Sequence, residues 1–149
     1  QNSLLESVNL SRNNISANVL EIGRVLQAIR NQDNDTCPRL TKLEMNSCRL
    51  HHKDVLAFLE CIRENSVLKV LALQDNHIGE SAEKPLLQAI GNVEHLEKMV
   101  LKGNRLSFSF LRKAEKLLKQ NKQEEAKGVL GRYQKAWQYA EVELNSSIL

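Results

Sequence analysis

The apolar residues of this chain keep one ruler, interrupted at intervals by a second. From Leu5, apolar side chains fall at offsets 0, 3, 5 and 10, with Asn at offset 8: Leu5, Val8, Leu10, Asn13, Ile15. The register returns at Leu40, Leu43, Met45, Cys48 and Leu50, at Leu68, Leu71, Leu73, Asn76 and Ile78, and at Leu96, Met99, Leu101, Asn104 and Leu106. The starts lie 35, 28 and 28 residues apart, and self-similarity at such a period governs the whole fold. Offsets 3 and 5 are two apart, so a short strand turns both side chains to one face and the residues between them to the other. At offset 8 the chain leaves the strand, where an Asn side chain can bond turn backbone groups that lack a strand partner. Asn13, Asn76 and Asn104 are therefore expected to stack as a ladder, with Cys48 as a structural substitute.

Between these segments the period changes to that of a helix. Leu20, Ile22, Val25, Leu26 and Ile29 follow the first copy, and Val55, Leu56, Leu59 and Ile62 the second. Ala82, Leu86, Leu87 and Ile90 follow the third, and Phe110, Leu111, Ala114, Leu117 and Leu118 the fourth. Strand, turn and helix thus recur as a solenoid. The longer first interval coincides with Gln32 to Pro38, whose Asp, Asn, Thr and Pro content predicts a loop insertion.

The segments LTKLEMNSCRL, LKVLALQDNHI and LEKMVLKGNRL, each followed by a helix, resemble ribonuclease-inhibitor-type leucine-rich repeats over about residues 4 to 119. The resemblance implies an α/β fold: a curved solenoid of about four repeats, with parallel strands on the concave side and helices on the convex side. Such repeats occur in intracellular inhibitors, innate-immune receptors, actin-capping regulators, small-GTPase activators and bacterial effectors, so the motif speaks to fold and little to function. The expected organisation is repeats over 1–121 and a C-terminal helical cap or tail over 122–149.

A solenoid exposes an apolar face at each end. At the C-terminal end, Ala126, Leu130, Tyr133, Trp137, Ala140 and Leu144 alternate spacings of four and three, which predicts an amphipathic helix suited to capping or, alternatively, to contact with a partner helix through Tyr133 and Trp137. At the other end only four residues precede Leu5. Leu5, Val8 and Leu10 are expected to form an open apolar edge, covered by upstream repeats of a longer protein or by a second copy.

Residues between the strand leucines form the expected partner-binding columns: Ser7, Lys42, Val70, Lys98; Asn9, Glu44, Ala72, Val100; and Ser11, Asn46, Gln74, Lys102. Val70, Ala72 and Val100 place apolar groups on a face that is polar in the first two copies, and such a patch commonly marks contact. The candidate site is therefore Lys42, Glu44, Val70, Ala72, Gln74, Lys98, Val100 and Lys102. Four strands about 4.8 Å apart and about five residues long offer only about 250 Å², against about 800 Å² per partner in a stable interface. Neighbouring surfaces must contribute.

Charge and composition narrow the classes further. From Lys98 to Lys135 there are 11 Lys or Arg against three Glu, although the whole chain carries only +3. Arg112, Lys113, Lys116 and Lys119 are expected on the outer side of the fourth helix, where an anionic partner could be steered; nucleic acid is disfavoured, because no aromatic residue interleaves with that stripe for base stacking. No phosphate loop, GxSxG, HExxH or metal-ligand spacing occurs, and His51 and His52 are adjacent and diverge. The expectation is a non-enzymatic protein-interaction module with no metal and no cofactor. The alternatives are a small-GTPase regulator using Arg12 from a strand-end turn, or the targeting part of a larger receptor or bacterial effector. Cys37, Cys48 and Cys61 form no CxxC pair and leave one unmatched, which suits reduced thiols in an intracellular, cytoplasmic setting. No apolar run reaches the roughly 20 residues of a membrane span.

Overall fold

The computed structural model describes residues 5–29, 40–64 and 67–146, with side chains at Ile29 and over most of 131–146 left aside. Its order is β1 (Ser7–Asn9), α1 (Val19–Ile29), β2 (Lys42–Glu44), α2 (His52–Ile62), β3 (Val70–Ala72), α3 (Glu83–Gly91), β4 (Lys98–Val100) and α4 (Phe108–Ser146), with 3-10 turns at Ser16–Asn18 and Glu80–Ala82. The strands form one parallel sheet in chain order, with Val8, Leu43, Leu71 and Met99 in register. Parallel neighbours require a crossover, and here each crossover contains a helix. This α/β arrangement, a four-stranded parallel sheet with four helices, is consistent with a leucine-rich-repeat-like fold.

The core lies between sheet and helices. Leu43, Leu71, Leu73 and Leu101 meet Phe58, Leu59, Ile62, Leu86 and Ile90 in one buried cluster. The helical period is right, but not every apolar position faces inward: Leu20 and Val25 are 40% and 60% exposed, whereas Val19 and Leu26 are buried. Gly23 allows α1 and α2 to approach closely, since a Cβ there would come 2.7 Å from the Cys61 Cβ.

The Asn column is the polar counterpart of this core. Asn76 Oδ1 accepts from the Cys48 and Leu50 N–H groups at 3.0 and 3.1 Å, and its Nδ2 donates to the Met45 and Leu73 carbonyls at 2.9 and 3.0 Å. Asn104 repeats the pattern one unit on, accepting from Ile78 N–H and donating to Leu73 and Leu101. Cys48 keeps the donor half: its thiol reaches the Leu10 and Asn46 carbonyls, each at 3.3 Å. Asn13 bonds only its own turn, at Leu10 and Ser11.

The residue just before this column is left-handed in every unit: Arg12, Ser47, Asp75 and Gly103 have φ of 64°, 53°, 53° and 78°. Each turn needs this conformation to swing the Asn or Cys side chain back under the strand. Glycine adopts it without a Cβ penalty, and at Gly103 a Cβ would also overlap the Asp75 carboxylate.

The fourth helix and the helix expected over 124–144 are one element, α4, so the boundary drawn at 121 and 122 falls within it. Ser107 caps its start: the hydroxyl accepts from Phe110 N–H at 3.1 Å and donates to Glu83 of α3 at 2.9 Å.

Candidate protein-binding face

On the sheet face turned away from the helices, the strand register places Lys42, Val70 and Lys98 in one row and Glu44, Ala72 and Val100 in the next. The candidate residues are thus brought together, with different degrees of access. Lys98 and Lys102 are exposed, and Val70 and Val100 are half-buried. Ala72 corrects the expectation: it is only 5% exposed, because its single methyl lies between the larger Glu44 and Val100 side chains in register. Lys42 and Glu44 are engaged with each other in an ion pair. In the third row, Asn46 Oδ1 accepts from the Gln74 backbone N–H at 2.8 Å, and Ser11 Oγ accepts from Asn46 N–H at 3.0 Å, so those polar side chains tie strand ends together.

Each strand is three residues long, shorter than the five expected. The sheet face alone therefore falls further below the area that a stable partner needs. The additional surface comes from α4, which crosses the outer edge of β4. Phe110, Ala114 and Leu118 are buried there, with Leu111 and Leu117 packed against the same cluster. Asn121 continues that stripe and donates to the Val93 and Leu96 carbonyls at 3.0 and 2.9 Å. One turn further on, Glu125 meets the Lys69 ammonium at 2.6 Å. The covering residues therefore lie in the first third of α4. Ala126 and Leu130, the first two positions of the expected cap, are exposed, and the side chains of Tyr133 and Trp137 lie outside the described residues.

Between β4 and α4 runs a groove of about 600 Å³. Met99, Leu101, Leu111 and Leu118 supply its apolar lining, and Lys98, Lys119 and Lys122, interleaved with Glu97 and Glu115, its charged rim, with Val70 at the margin nearest the sheet face. Lys119 is held by Glu115 at 2.9 Å, and that ammonium lowers the Glu115 carboxyl below the ordinary range, through a hydrogen bond first and charge second. Sequence reasoning missed this groove. The stripe Leu111, Ala114, Leu118, Asn121 signals a continuous buried face, but the direction in which the helix crosses the sheet edge is set by the Asn121 and Glu125 contacts.

Beside the Lys69–Glu125 pair, His95 Nε2 is buried and has no hydrogen-bond partner among the described residues. Burial, with help from the Lys69 ammonium and against the Glu125 carboxylate, lowers the imidazole from 6.5 to about 4. Burial and a hydrogen bond with Glu125 raise the Glu97 carboxyl. Between pH 6.5 and about 4 the unfolded imidazole takes up a proton that the folded one resists, so stability is full above this window and lost as pH falls through it. His95 is partly exposed, so after allowance for solvent screening the loss is about 1 kcal/mol. Urea unfolding at stepped pH checks this, and His95→Gln removes that share of the slope.

Other candidates are dispersed. Arg12 is an exposed residue of the first turn, two strands away from Val70 and three from Val100. The His51 and His77 rings lie 5.2 Å apart, yet no group of three metal-ligating side chains occurs among the described residues. Arg112, Lys113, Lys116 and Lys119 are exposed, as expected of an outer face, and Arg112 lies over the exposed Phe108 ring at 5.1 Å. At the opposite sheet edge Leu5 is 40% exposed. Cys48 and Cys61 are free thiols, and Cys37 lies outside the described residues. No helix of the described residues is long and apolar enough to cross a membrane.

The molecule so described is an α/β protein, its four-stranded parallel sheet consistent with a leucine-rich-repeat-like fold, with a half-apolar sheet face flanked by a helix. No protein-family model matches the chain, and no curated protein matches it. Among solved structures it is similar to the tropomodulin C-terminal domain of Caenorhabditis elegans, with 16% identity, a TM-score of 0.45, and coverage of 85% of this chain and 90% of that one.

Proposed function

We propose that this chain is a non-enzymatic protein-interaction module built as a curved array of four ribonuclease-inhibitor-type leucine-rich repeats, and that it binds its partner through the β3–β4 end of the sheet. One observation carries the reading: Val70 and Val100 are half-buried rather than covered, on a face where exposed Lys98 and Lys102 surround them and α4 walls off one side. An apolar centre with a charged rim is the usual composition of a binding surface. An intracellular, reducing setting belongs to the same reading, since Cys48 acts as a thiol donor to two carbonyls.

The test is affinity enrichment from cell lysate with the wild-type chain and with Val70→Glu and Val100→Glu. Proteins held by the wild type should be retained at least about tenfold less by either variant, because a buried carboxylate is left without a partner at the centre of the contact. Circular dichroism should be unchanged in both. Equal retention by folded variants rejects this face.

A further inference from the structure

The free edge of β4 is distinct from the face of the sheet. Along β4 and just beyond it, Lys98, Val100 and Lys102 bond the chain of β3 and its flanks: Lys98 N–H donates to the Lys69 carbonyl at 3.1 Å, and the Val100 and Lys102 carbonyls accept from Leu73 and Asp75 at 2.8 and 3.0 Å. Successive residues of a strand direct their backbone groups to opposite sides. The Met99 N–H and carbonyl and the Leu101 N–H therefore point away from β3, toward the groove under α4. Among the described residues no hydrogen bond engages these three groups. The Leu101 carbonyl is already taken, by Asn104 Nδ2 at 2.9 Å.

A strand edge beside a helix, with an apolar groove between them, is the geometry in which an extended peptide adds as a further strand. The two walls differ in chemistry. Leu111, Ala114 and Leu118 line the side toward the core, while Lys98 and Lys122 stand at the opening. Side chains of an added strand alternate between these environments. Lys119 is held by Glu115, and Glu97 is shared between Lys69 at 4.0 Å and the nearby Lys122, so three cations against two carboxylates leave the opening at Lys98 and Lys122 net positive.

We infer that the groove between β4 and α4 takes an extended segment of a partner protein as a fifth strand, with apolar side chains turned to Leu111 and Leu118 alternating with acidic ones turned to Lys98 and Lys122. This deepens the interaction-module reading and rests on it, adding the shape and charge of what is bound.

The probes are two short acetylated peptides, one alternating Glu with Val and one alternating Lys with Val, titrated into the full chain by amide NMR. The acidic peptide should bind, slow the hydrogen exchange of the Met99 and Leu101 amides, and bind at least about tenfold more tightly than the basic one. Lys122→Glu, at an exposed position and with its fold checked by circular dichroism, should abolish that preference. Equal affinity for the two peptides, or binding that leaves the Met99 and Leu101 amides unprotected, overturns the inference. Failure of the acidic peptide to bind also overturns it. In that case a lysate partner still lost with Val100→Glu shows that the sheet face binds protein by another mode, whereas a partner unaffected by Val100→Glu removes both readings.

Discussion

Asn76→Ala is expected to cost about 3–5 kcal/mol, a large share of a stability of about 5–15 kcal/mol. Asn76 is only 6% exposed and spans two units, satisfying the Cys48 and Leu50 N–H groups and the Met45 and Leu73 carbonyls. Alanine takes that partner from the Cys48 and Leu50 N–H groups and the Met45 carbonyl, in a place that water reaches poorly, while the Leu73 carbonyl keeps its bond from Asn104. Each buried unsatisfied group costs about 1–3 kcal/mol, and partial relaxation keeps the total below the sum. Asn13→Ala is the internal comparison. Its side chain is exposed and serves only the Leu10 and Ser11 carbonyls of its own turn, so its loss should cost about 1 kcal/mol or less. Urea midpoints for the two variants measure the difference. Equal shifts would mean that the column does not hold neighbouring units together.

Leu71→Ala is the second large effect, at about 2–5 kcal/mol. Leu71 is fully buried in the middle of β3, between Leu43 and Met99 in register, and truncation opens a cavity that the neighbouring strands cannot close without breaking their pairing. Val70, its neighbour in sequence, points to the opposite face and is half-buried. Val70→Glu should leave the thermal midpoint nearly unchanged while Leu71→Ala lowers it by many degrees, because small domains shift by roughly 4–8 °C per kcal/mol. Calorimetry on the pair reads this contrast directly. A larger loss from Val70→Glu would reverse the assignment of core and contact faces.

Both predictions rest on features legible in the sequence. Offsets 3 and 5 place Leu71 and Leu73 on one face because strand side chains alternate, and the structure buries both. Asn at offset 8 stood out because few other residues occur there, and its bonds to the preceding unit explain why. The left-handed residue before it was partly visible: Gly103 next to Asn104 is a turn signal, but Arg12, Ser47 and Asp75 disguise the same conformation in the other units. The helix faces were read only in part. Leu20 and Val25 fit an apolar stripe, yet the orientation of α1 follows from its close approach to α2 at Gly23 and leaves them outside.

The site was harder to read than the fold. Register alone aligns Val70 with Lys98 and Ala72 with Val100, so the rows of the face were accessible from the repeat. Burial of Ala72 was not, because it depends on the size of Glu44 and Val100 beside it. The groove was invisible to one-dimensional reasoning: it exists because Asn121 and Glu125 hold α4 against Leu96 and Lys69, contacts that span 25 and 56 residues of sequence. Of the six positions whose spacing predicts a cap, Ala126 and Leu130 are exposed and the side chains of Tyr133, Trp137, Ala140 and Leu144 lie outside the described residues, while Phe110, Ala114 and Leu118 bury the edge.

The most direct test of the contact face is site-specific photocrosslinking in cells, with a benzophenone side chain placed at Val100 and, as the control, at Gln88 on the exposed side of α3. A discrete crosslinked species from position 100, lost when Val70→Glu is added, is the result expected of a protein-binding sheet face. Crosslinks from position 88 alone, or equally from both positions, would contradict it.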